Sequence, residues 1–201
     1  MAVRPDSADL LVAGLGNPGP EYADTRHNAG FLCVDALAER LGARYWKLQD
    51  GALVAHAAVG RQSLLLVKPQ TFMNLSGKAV RALCRRYGLG ASDVIVVHDE
   101  MDFEPGDVRA RRGGSAAGHN GVKSVYAELG SDQVVRVRVG TGRPPGRMDG
   151  AAYVLQHLKG AALEELQADC ALAADVVESV VQDGLDVTMQ RFNGRFRSLR
   201  Q

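Results

Sequence analysis

Apolar positions along this chain recur with two alternating periods, and that alternation lays out its elements. Leu10 to Leu15 is a continuous apolar run of strand length. Phe31, Val34, Leu37, Ala38 and Leu41 then fall at helical spacing and stop near Gly42. Ala52 to Val59 and Ser63 to Val67 flank Gly60-Arg61-Gln62 and read as a hairpin. After Lys68-Pro69 and a polar turn, the pattern predicts a helix from about Ser76 with Val80, Leu83, Cys84 and Tyr87 on one face. Val94 to Val97 reads as a buried strand that stops at His98-Asp99-Glu100, and Asp107 to Arg111 reads as the next strand. The loop from Arg112 to Gly118 leads to a helix starting near His119-Asn120-Gly121, with Val122, Val125, Tyr126 and Leu129 inward and Gly130 as its stop. Val135, Val137 and Val139 alternate with Arg136 and Arg138, so both arginines share one strand face. Gly140 to Gly150 is a Gly/Pro loop, Ala161 to about Gln182 a long amphipathic helix, and Arg191 to Gln201 a frayed basic end.

Helical and strand periods that alternate in this way, with one hairpin among them, predict an α/β fold: a single-domain mixed β-sheet sandwiched by helices. Residues 9–194 form the domain, preceded by a disordered leader over 1–8 and followed by a frayed basic tail over 195–201. Sites in such folds gather at the carboxyl ends of strands. The polar turns after Leu15, Val67 and Val97, with the loop before His119, are those ends.

Composition narrows the class. With 201 residues, 46% of them hydrophobic, the chain can build a full core. Cys33, Cys84 and Cys170 are odd in number, far apart and set in apolar helical contexts, which argues against a disulfide framework or a thiolate metal site and for a reduced cytoplasmic compartment. No early apolar run is long enough to span a membrane, and no basic region precedes a cleavable apolar segment. Net charge is only +1, yet the charge is segregated. From Val108 to Arg147 eight basic residues (Arg109, Arg111, Arg112, Lys123, Arg136, Arg138, Arg143, Arg147) face two acidic ones, while from Asp149 to Asp186 eight acidic residues face one Lys. A localised polyanion site on a neutral protein has this signature; segregated solvated faces are the plainer reading.

The candidate chemistry sits in the predicted turns. Gly14-x-Gly16-x-x-Gly19 matches a dinucleotide fingerprint as a pattern, but Pro18 and Pro20 surround the third Gly, where the fingerprint needs a helix already under way. The acidic residue expected about 20 positions on is also missing, since Asp35 falls within a helical pattern. What remains is a rigid turn presenting Asn17, Tyr22, His27 and Asn28. Phe72-Met73-Asn74, His98-Asp99 and His119-Asn120 occupy the other strand exits. A His beside a strand-end Asp suits a water-activating base, and carboxamides nearby can donate to a developing oxyanion. Singly, each has an ordinary reading: a lone His is most often structural, Asp99 suits a turn, and Asn74 or Asn120 can start a helix. Four such clusters at strand exits of one chain favour a site. Gly113-Gly114-Ser115-Ala116-Ala117 fails as a nucleophile elbow because Arg111-Arg112 leads into it and its last position is not Gly. The histidines show no metal-ligand spacing, so no metal and no cofactor is expected, with water as the nucleophile.

Taken together, Gly14-Leu15-Gly16-Asn17-Pro18-Gly19-x-x-Tyr22-x-x-Thr25-Arg26-His27-Asn28-Ala29-Gly30, Lys68-Pro69-x-Thr71-Phe72-Met73-Asn74-x-Ser76-Gly77, His98-Asp99-Glu100-x-Asp102 and Gly118-His119-Asn120-Gly121 resemble bacterial-type peptidyl-tRNA hydrolase. The resemblance runs from about Leu10 to Gly194. It implies a phosphorylase/hydrolase-like fold and cleavage of the ester between a peptide and the 3′-terminal ribose of tRNA. It implies His27 as proton acceptor held in its basic form by Asp99, and Asn17 as the residue that separates N-blocked from free aminoacyl substrates. Tyr22, Phe72, Asn74 and Asn120 would contact the tRNA end or the peptide, with Met73 and His119 in support. Arg111 and Arg138 would clamp the tRNA 5′-phosphate, Arg111 standing where Lys is frequent and adding bidentate geometry. Ala116-Ala117 departs from a loop the family often fills with glycine. The implied partner is peptidyl-tRNA through its acceptor end and 5′-phosphate, with no DNA, no membrane, a monomeric state and a cytoplasmic location. Two other classes compete: a catalytically silent RNA-binding protein on this fold, as in a plastid intron-splicing factor of the superfamily, and a nucleotide-dependent oxidoreductase resting on the glycine pattern alone. Intact His27, Asp99, Asn17, Asn74 and Asn120 favour the enzyme.

Overall fold

The computed structural model describes residues 7–194. Its elements in chain order are β1 (Leu10–Gly14), α1 (Ala29–Arg40), β2 (Lys47–Gln49), β3 (Ala52–Val59), β4 (Gln62–Pro69), α2 (Ser76–Tyr87), β5 (Val94–Glu100), β6 (Val108–Arg112), α3 (Asn120–Leu129), β7 (Val135–Gly140), α4 (Gly150–Val154), α5 (Ala161–Asp183) and α6 (Leu185–Phe192). Single 3-10 turns at Pro20–Tyr22, Arg26–Asn28 and Met73–Leu75 sit in the connections that follow β1 and β4.

The strands form one mixed sheet in the order β2-β3-β4-β1-β5-β7-β6. β1 lies parallel between β4 and β5, and β5 is parallel to β7, while the β3–β4 hairpin and β6–β7 are antiparallel. Alternate side chains leave the two faces of each strand, and both faces are apolar in the centre. Val12, Leu66, Val97 and Val137 pack with Val34, Leu37, Cys170 and Ala174 of α1 and α5. Leu11, Leu65, Val67 and Val96 pack on the other face with Val80, Leu83, Val122 and Val125 of α2 and α3. The expected sandwich is therefore what forms, and truncating a fully buried leucine such as Leu66 to Ala costs about 2–5 kcal/mol.

Two glycines let the layers close where the site forms. A Cβ on Gly14 would lie 2.1 Å from the Gly30 carbonyl oxygen, and one on Gly30 would lie 2.2 Å from the Leu15 nitrogen and 2.4 Å from the Val97 oxygen. The start of α1 thus rests directly on the ends of β1 and β5, and the turn preceding it, which carries His27, is brought to the carboxyl edge of the sheet.

Several boundaries differ from the sequence reading. β5 does not stop at Val97 but continues through His98, Asp99 and Glu100, all buried, because β7 pairs with them as far as Gly140. β2, at the edge of the sheet, has no counterpart in the pattern. α4 interrupts the region before α5, and Arg191 and Phe192 are helical in α6, where Arg191 pairs with Asp183 at 2.7 Å, so the basic end is not frayed from Arg191. Of the leader expected over 1–8, residues 1–6 lie outside the described residues and Ala8 packs against the α2–α3 cluster. The tail over 195–201 lies outside the described residues.

Candidate active site

The turn after β1 is rigid for reasons legible in its composition. Gly19 takes φ 113° between Pro18 and Pro20, which a side chain would strain, and the chain then makes one 3-10 turn instead of a long helix. The first α-helix begins only at Ala29, so no helix N-terminus sits at the glycines to receive a pyrophosphate. Asn28 latches the turn: its Oδ1 accepts from the Asn17 backbone nitrogen and its Nδ2 donates to the Asn17 carbonyl, both at 2.9 Å. The Asn17 side chain in turn accepts from the Met73 backbone nitrogen at 2.7 Å. With the amide oxygen committed, the NH2 half of Asn17 is left for a ligand.

Asp99 is the electrostatic centre. Its Oδ1 lies 2.9 Å from His27 Nδ1 and 2.9 Å from His119 Nε2. A carboxylate only accepts, so both of those ring nitrogens carry hydrogen. His119 Nδ1 accepts from the backbone nitrogens of Gly121 and Val122 at 3.2 and 3.3 Å, capping α3. That bond fixes the His119 tautomer as Nε2–H. For His27 the Nδ1–H bond leaves Nε2 as the basic nitrogen of a ring that lines the cavity. Beneath them His98, fully buried, donates from Nδ1 to the Asp99 carbonyl at 2.6 Å and packs edge-on to His119 at 4.7 Å between centroids.

The protonation states follow from this arrangement. Burial pushes the His27 imidazole down, but the charge and hydrogen bond of Asp99 outweigh it and hold the pKa above its ordinary value. Burial alone would raise the Asp99 pKa, and the two imidazoles overcome it and hold the carboxyl far below the usual carboxylate range. His98 is held well below its ordinary value by burial first and by His119 second, so it stays neutral. The His27, Asp99 and His119 donor atoms lie close enough together to hold a metal ion. The hydrogen bonds disfavour it: the two ring nitrogens facing Asp99 are protonated, and freeing His119 Nε2 would set an Nδ1–H against two backbone N–H groups.

Around these groups is an open cavity of about 370 Å³. Asn17, His27, Phe72, Met73, Asn74, Asp99, His119 and Asn120 all line it, so the structure unites eight of the residues singled out in the sequence. Asn74 and Asn120 are exposed, and neither side chain caps a helix, because Leu75 and His119 hold those positions. Tyr22 is not among the lining residues; its carbonyl accepts from Thr25 in the turn before His27. Arg111 and Arg138 lie apart from the cavity and line another pocket of about 510 Å³ with Arg112 and residues of α6. Arg138 is lowered to about 10 by burial and by Arg136, so it remains a cation at neutral pH. Arg136 is buried and donates to the Gly113 carbonyl at 3.1 Å. Sequence reasoning missed part of the lining, Met101 with Gly150, Ala151, Val154 and Leu155 of the α4 segment, and the latch role of Asn28.

Comparison with known proteins comes from three directions. The family model described as peptidyl-tRNA hydrolase matches residues 11–200. A peptidyl-tRNA hydrolase of Frankia alni is 48% identical over 191 residues, covering 95% of this chain and 97% of that protein. One from Mycobacterium sp. (strain KMS) is 47% identical over 178 residues, covering 88% and 93%. Among solved structures, peptidyl-tRNA hydrolase from Acinetobacter baumannii superposes with a TM-score of 0.85 at 30% identity, covering 94% of this chain and 96% of that one. A Campylobacter jejuni 5′-methylthioadenosine/S-adenosyl homocysteine nucleosidase shares the fold alone, at TM-score 0.53 and 7% identity over 88% of this chain and 100% of its own.

Proposed function

Since the chain belongs to the peptidyl-tRNA hydrolase family, we propose that its cavity hydrolyses the ester joining a peptide, or an N-blocked aminoacyl group, to the 3′-terminal ribose of tRNA. The observation that carries the mechanism is the 2.9 Å bond from His27 Nδ1 to Asp99, which aims a basic Nε2 at a cavity lined by amide donors. Neutral His27 accepts a proton from water at Nε2 as the water oxygen attacks the ester carbonyl carbon. Asp99 remains ionised and stabilises the imidazolium so formed. Negative charge develops on the carbonyl oxygen, and the carboxamides of Asn17, Asn74 and Asn120 are the neutral donors available to it or to the peptide backbone. The proton then passes from His27 to the departing ribose 3′-oxygen.

Each remaining residue has a place in this reading. The NH2 of Asn17 hydrogen-bonds a blocked amine without attracting a free ammonium, which suits discrimination for acylated substrates. Phe72, 59% exposed at the cavity, offers a face for an unpaired terminal base, and Tyr22 a second contact on the turn before His27. Met73 and His119 support, the first through its backbone bond to Asn17 and the second through Asp99. Arg111 and Arg138 take the 5′-phosphate. The protein acts as a cytoplasmic monomer, and no described helix is long and apolar enough to cross a membrane.

The test compares N-acetyl-aminoacyl-tRNA with unblocked aminoacyl-tRNA. The wild type should release tRNA from the first and spare the second, and His27→Ala should lower turnover by roughly 10²–10⁴-fold with tRNA affinity retained. Near wild-type turnover by that variant would remove His27 from the chemistry.

A further inference from the structure

We propose that Arg26, through its contact with Tyr153, is a positioning residue for His27. The inference rests on the reading of His27 as the base and concerns what holds it. His27 stands on a single 3-10 turn, Arg26–Asn28, a unit too short to fix a side chain by its own hydrogen bonds. On one side that turn is tied to Asp99. On the other, three consecutive residues meet the segment around α4. The Asp24 carbonyl accepts from the Leu158 nitrogen at 2.8 Å, Thr25 pairs with His157 in an isolated bridge, and the Arg26 guanidinium carbon lies 4.1 Å from the centroid of the Tyr153 ring.

The Arg26 contact differs in kind from the other two. Arg26 is half-buried, and its Nη1 is buried with no hydrogen-bond partner among the described residues, so on that side the Tyr153 ring face is the contact the guanidinium has. A cation partly withdrawn from water over a π face gains more from that face than a fully exposed one does. Nor is the guanidinium close-packed on every side, since Arg26 and Tyr153 border a small cavity of about 60 Å³. Tyr153 itself is firmly placed: it is buried in α4, and its hydroxyl donates to the Thr141 carbonyl at 2.8 Å just after β7. Thr141 is bonded in turn through its nitrogen to the Glu100 carbonyl at 3.1 Å, one residue beyond Asp99. Asp99 and Tyr153 are therefore both referenced to the end of β5, and the His27 turn is gripped between them. The same helix supplies Val154 to the cavity wall.

The experiment pairs Arg26→Gln, Arg26→Lys, Tyr153→Leu and Tyr153→Phe with the double variant Arg26→Gln/Tyr153→Leu. A misplacement of the base by about 1 Å costs on the order of 10²-fold, so Arg26→Gln and Tyr153→Leu should each lower kcat by about 10–100-fold with KM changed less than about 2-fold. Because both break one contact, the double variant should fall no further than the worse single. Arg26→Lys, which keeps the cation, should retain most of the activity, and Tyr153→Phe, which keeps the ring but loses its bond to Thr141, should lose less than Tyr153→Leu. The second readout needs no turnover: the downfield His27 Nδ1 proton in its bond to Asp99 should be visible by NMR in the wild type and exchange-broadened in Arg26→Gln and Tyr153→Leu. Wild-type kcat in those two variants, additive losses in the double, or a His27 proton signal that they leave unchanged would overturn the role. A wild type that does not cleave peptidyl-tRNA but shows the same broadening in the variants would instead overturn the functional reading and leave the grip intact.

Discussion

Asp99 accepts two imidazole N–H groups on one oxygen while only 4% exposed, so its charge acts at short range and with little screening by water. That charge, with the hydrogen bond from the same carboxylate, holds His27 above its ordinary pKa against burial. Asp99→Asn removes the charge, the larger of the two, and leaves at most a neutral hydrogen bond against burial, so the acidic limb of the pH–rate profile should move to lower pH. The rate on its plateau should fall by about 10²-fold or more, because the imidazolium formed in the transition state loses its counter-charge. A limb that stays in place or moves to higher pH would show that Asp99 orients the ring without setting its basicity. The sequence brought His27 and Asp99 forward because both stand at polar strand exits, but not the geometry between them. They are 72 positions apart, and the bond of His119 to the same carboxylate is legible only once α3 is docked against β5. Asn28 was expected to be presented by the turn but is buried, and its latch role escaped for a related reason: its two bonds run to the Asn17 backbone, and no side-chain pattern reports a backbone partner.

Elements with a long apolar period were readable, and the ones that were not are short or polar. α4 has five residues in a Gly/Pro-rich region and β2 has three at a sheet edge, too few to display a period. β5 looked truncated because His98-Asp99-Glu100 has turn-like composition; the residues are strand because β7 pairs with them, a long-range contact that overrides local preference. β7 kept its alternation, and pairing with β6 sets Arg111 opposite Arg136 and Arg109 opposite Arg138. Arg136 is buried among these, whereas Arg111 is exposed, and Gly114 leaves room for it, since a Cβ there would come within 2.7 Å of the Arg111 guanidinium carbon. Arg111 and Arg138 line one pocket together with Arg112, and on the reading proposed above Arg111 and Arg138 take the 5′-phosphate there. Arg111→Ala with Arg138→Ala should raise KM for peptidyl-tRNA and flatten the log–log salt dependence by up to about one unit per charge. Cleavage of an N-acylated aminoacyl-adenosine, which lacks the 5′-phosphate, should be almost unchanged. Equal losses on both substrates would assign the arginines to the fold or the chemistry.

At the scale of the whole molecule, the buried cluster under the cavity couples stability to pH. His98 is neutral in the folded chain, with its pKa well below 6.5, whereas the unfolded chain protonates it near that value. As pH falls below about 6.5 the unfolded state therefore takes up a proton that the folded state refuses, and stability is lost at up to about 1.4 kcal/mol per pH unit. His27 works in the opposite sense. Its raised pKa adds stability as pH falls toward 6.5, and that contribution is complete below it and lost as pH rises through the folded value. Asp99, held far below 3.8, adds a second loss once pH falls under its unfolded value. Stability should accordingly rise slightly as pH falls toward 6.5, where His27 protonates, and then decline toward pH 5 with His98 as the main cause. His98→Asn isolates that cause, since an amide NH2 can still donate to the Asp99 carbonyl but does not titrate. The variant should be less stable than the wild type at pH 7.5, because the smaller side chain leaves part of a fully buried site unfilled. Its denaturant midpoint should nonetheless fall less between pH 6.5 and 5, so that the two stability curves converge toward acid. Parallel curves for wild type and variant over that interval would show that His98 is not the group whose burial makes the fold acid-sensitive.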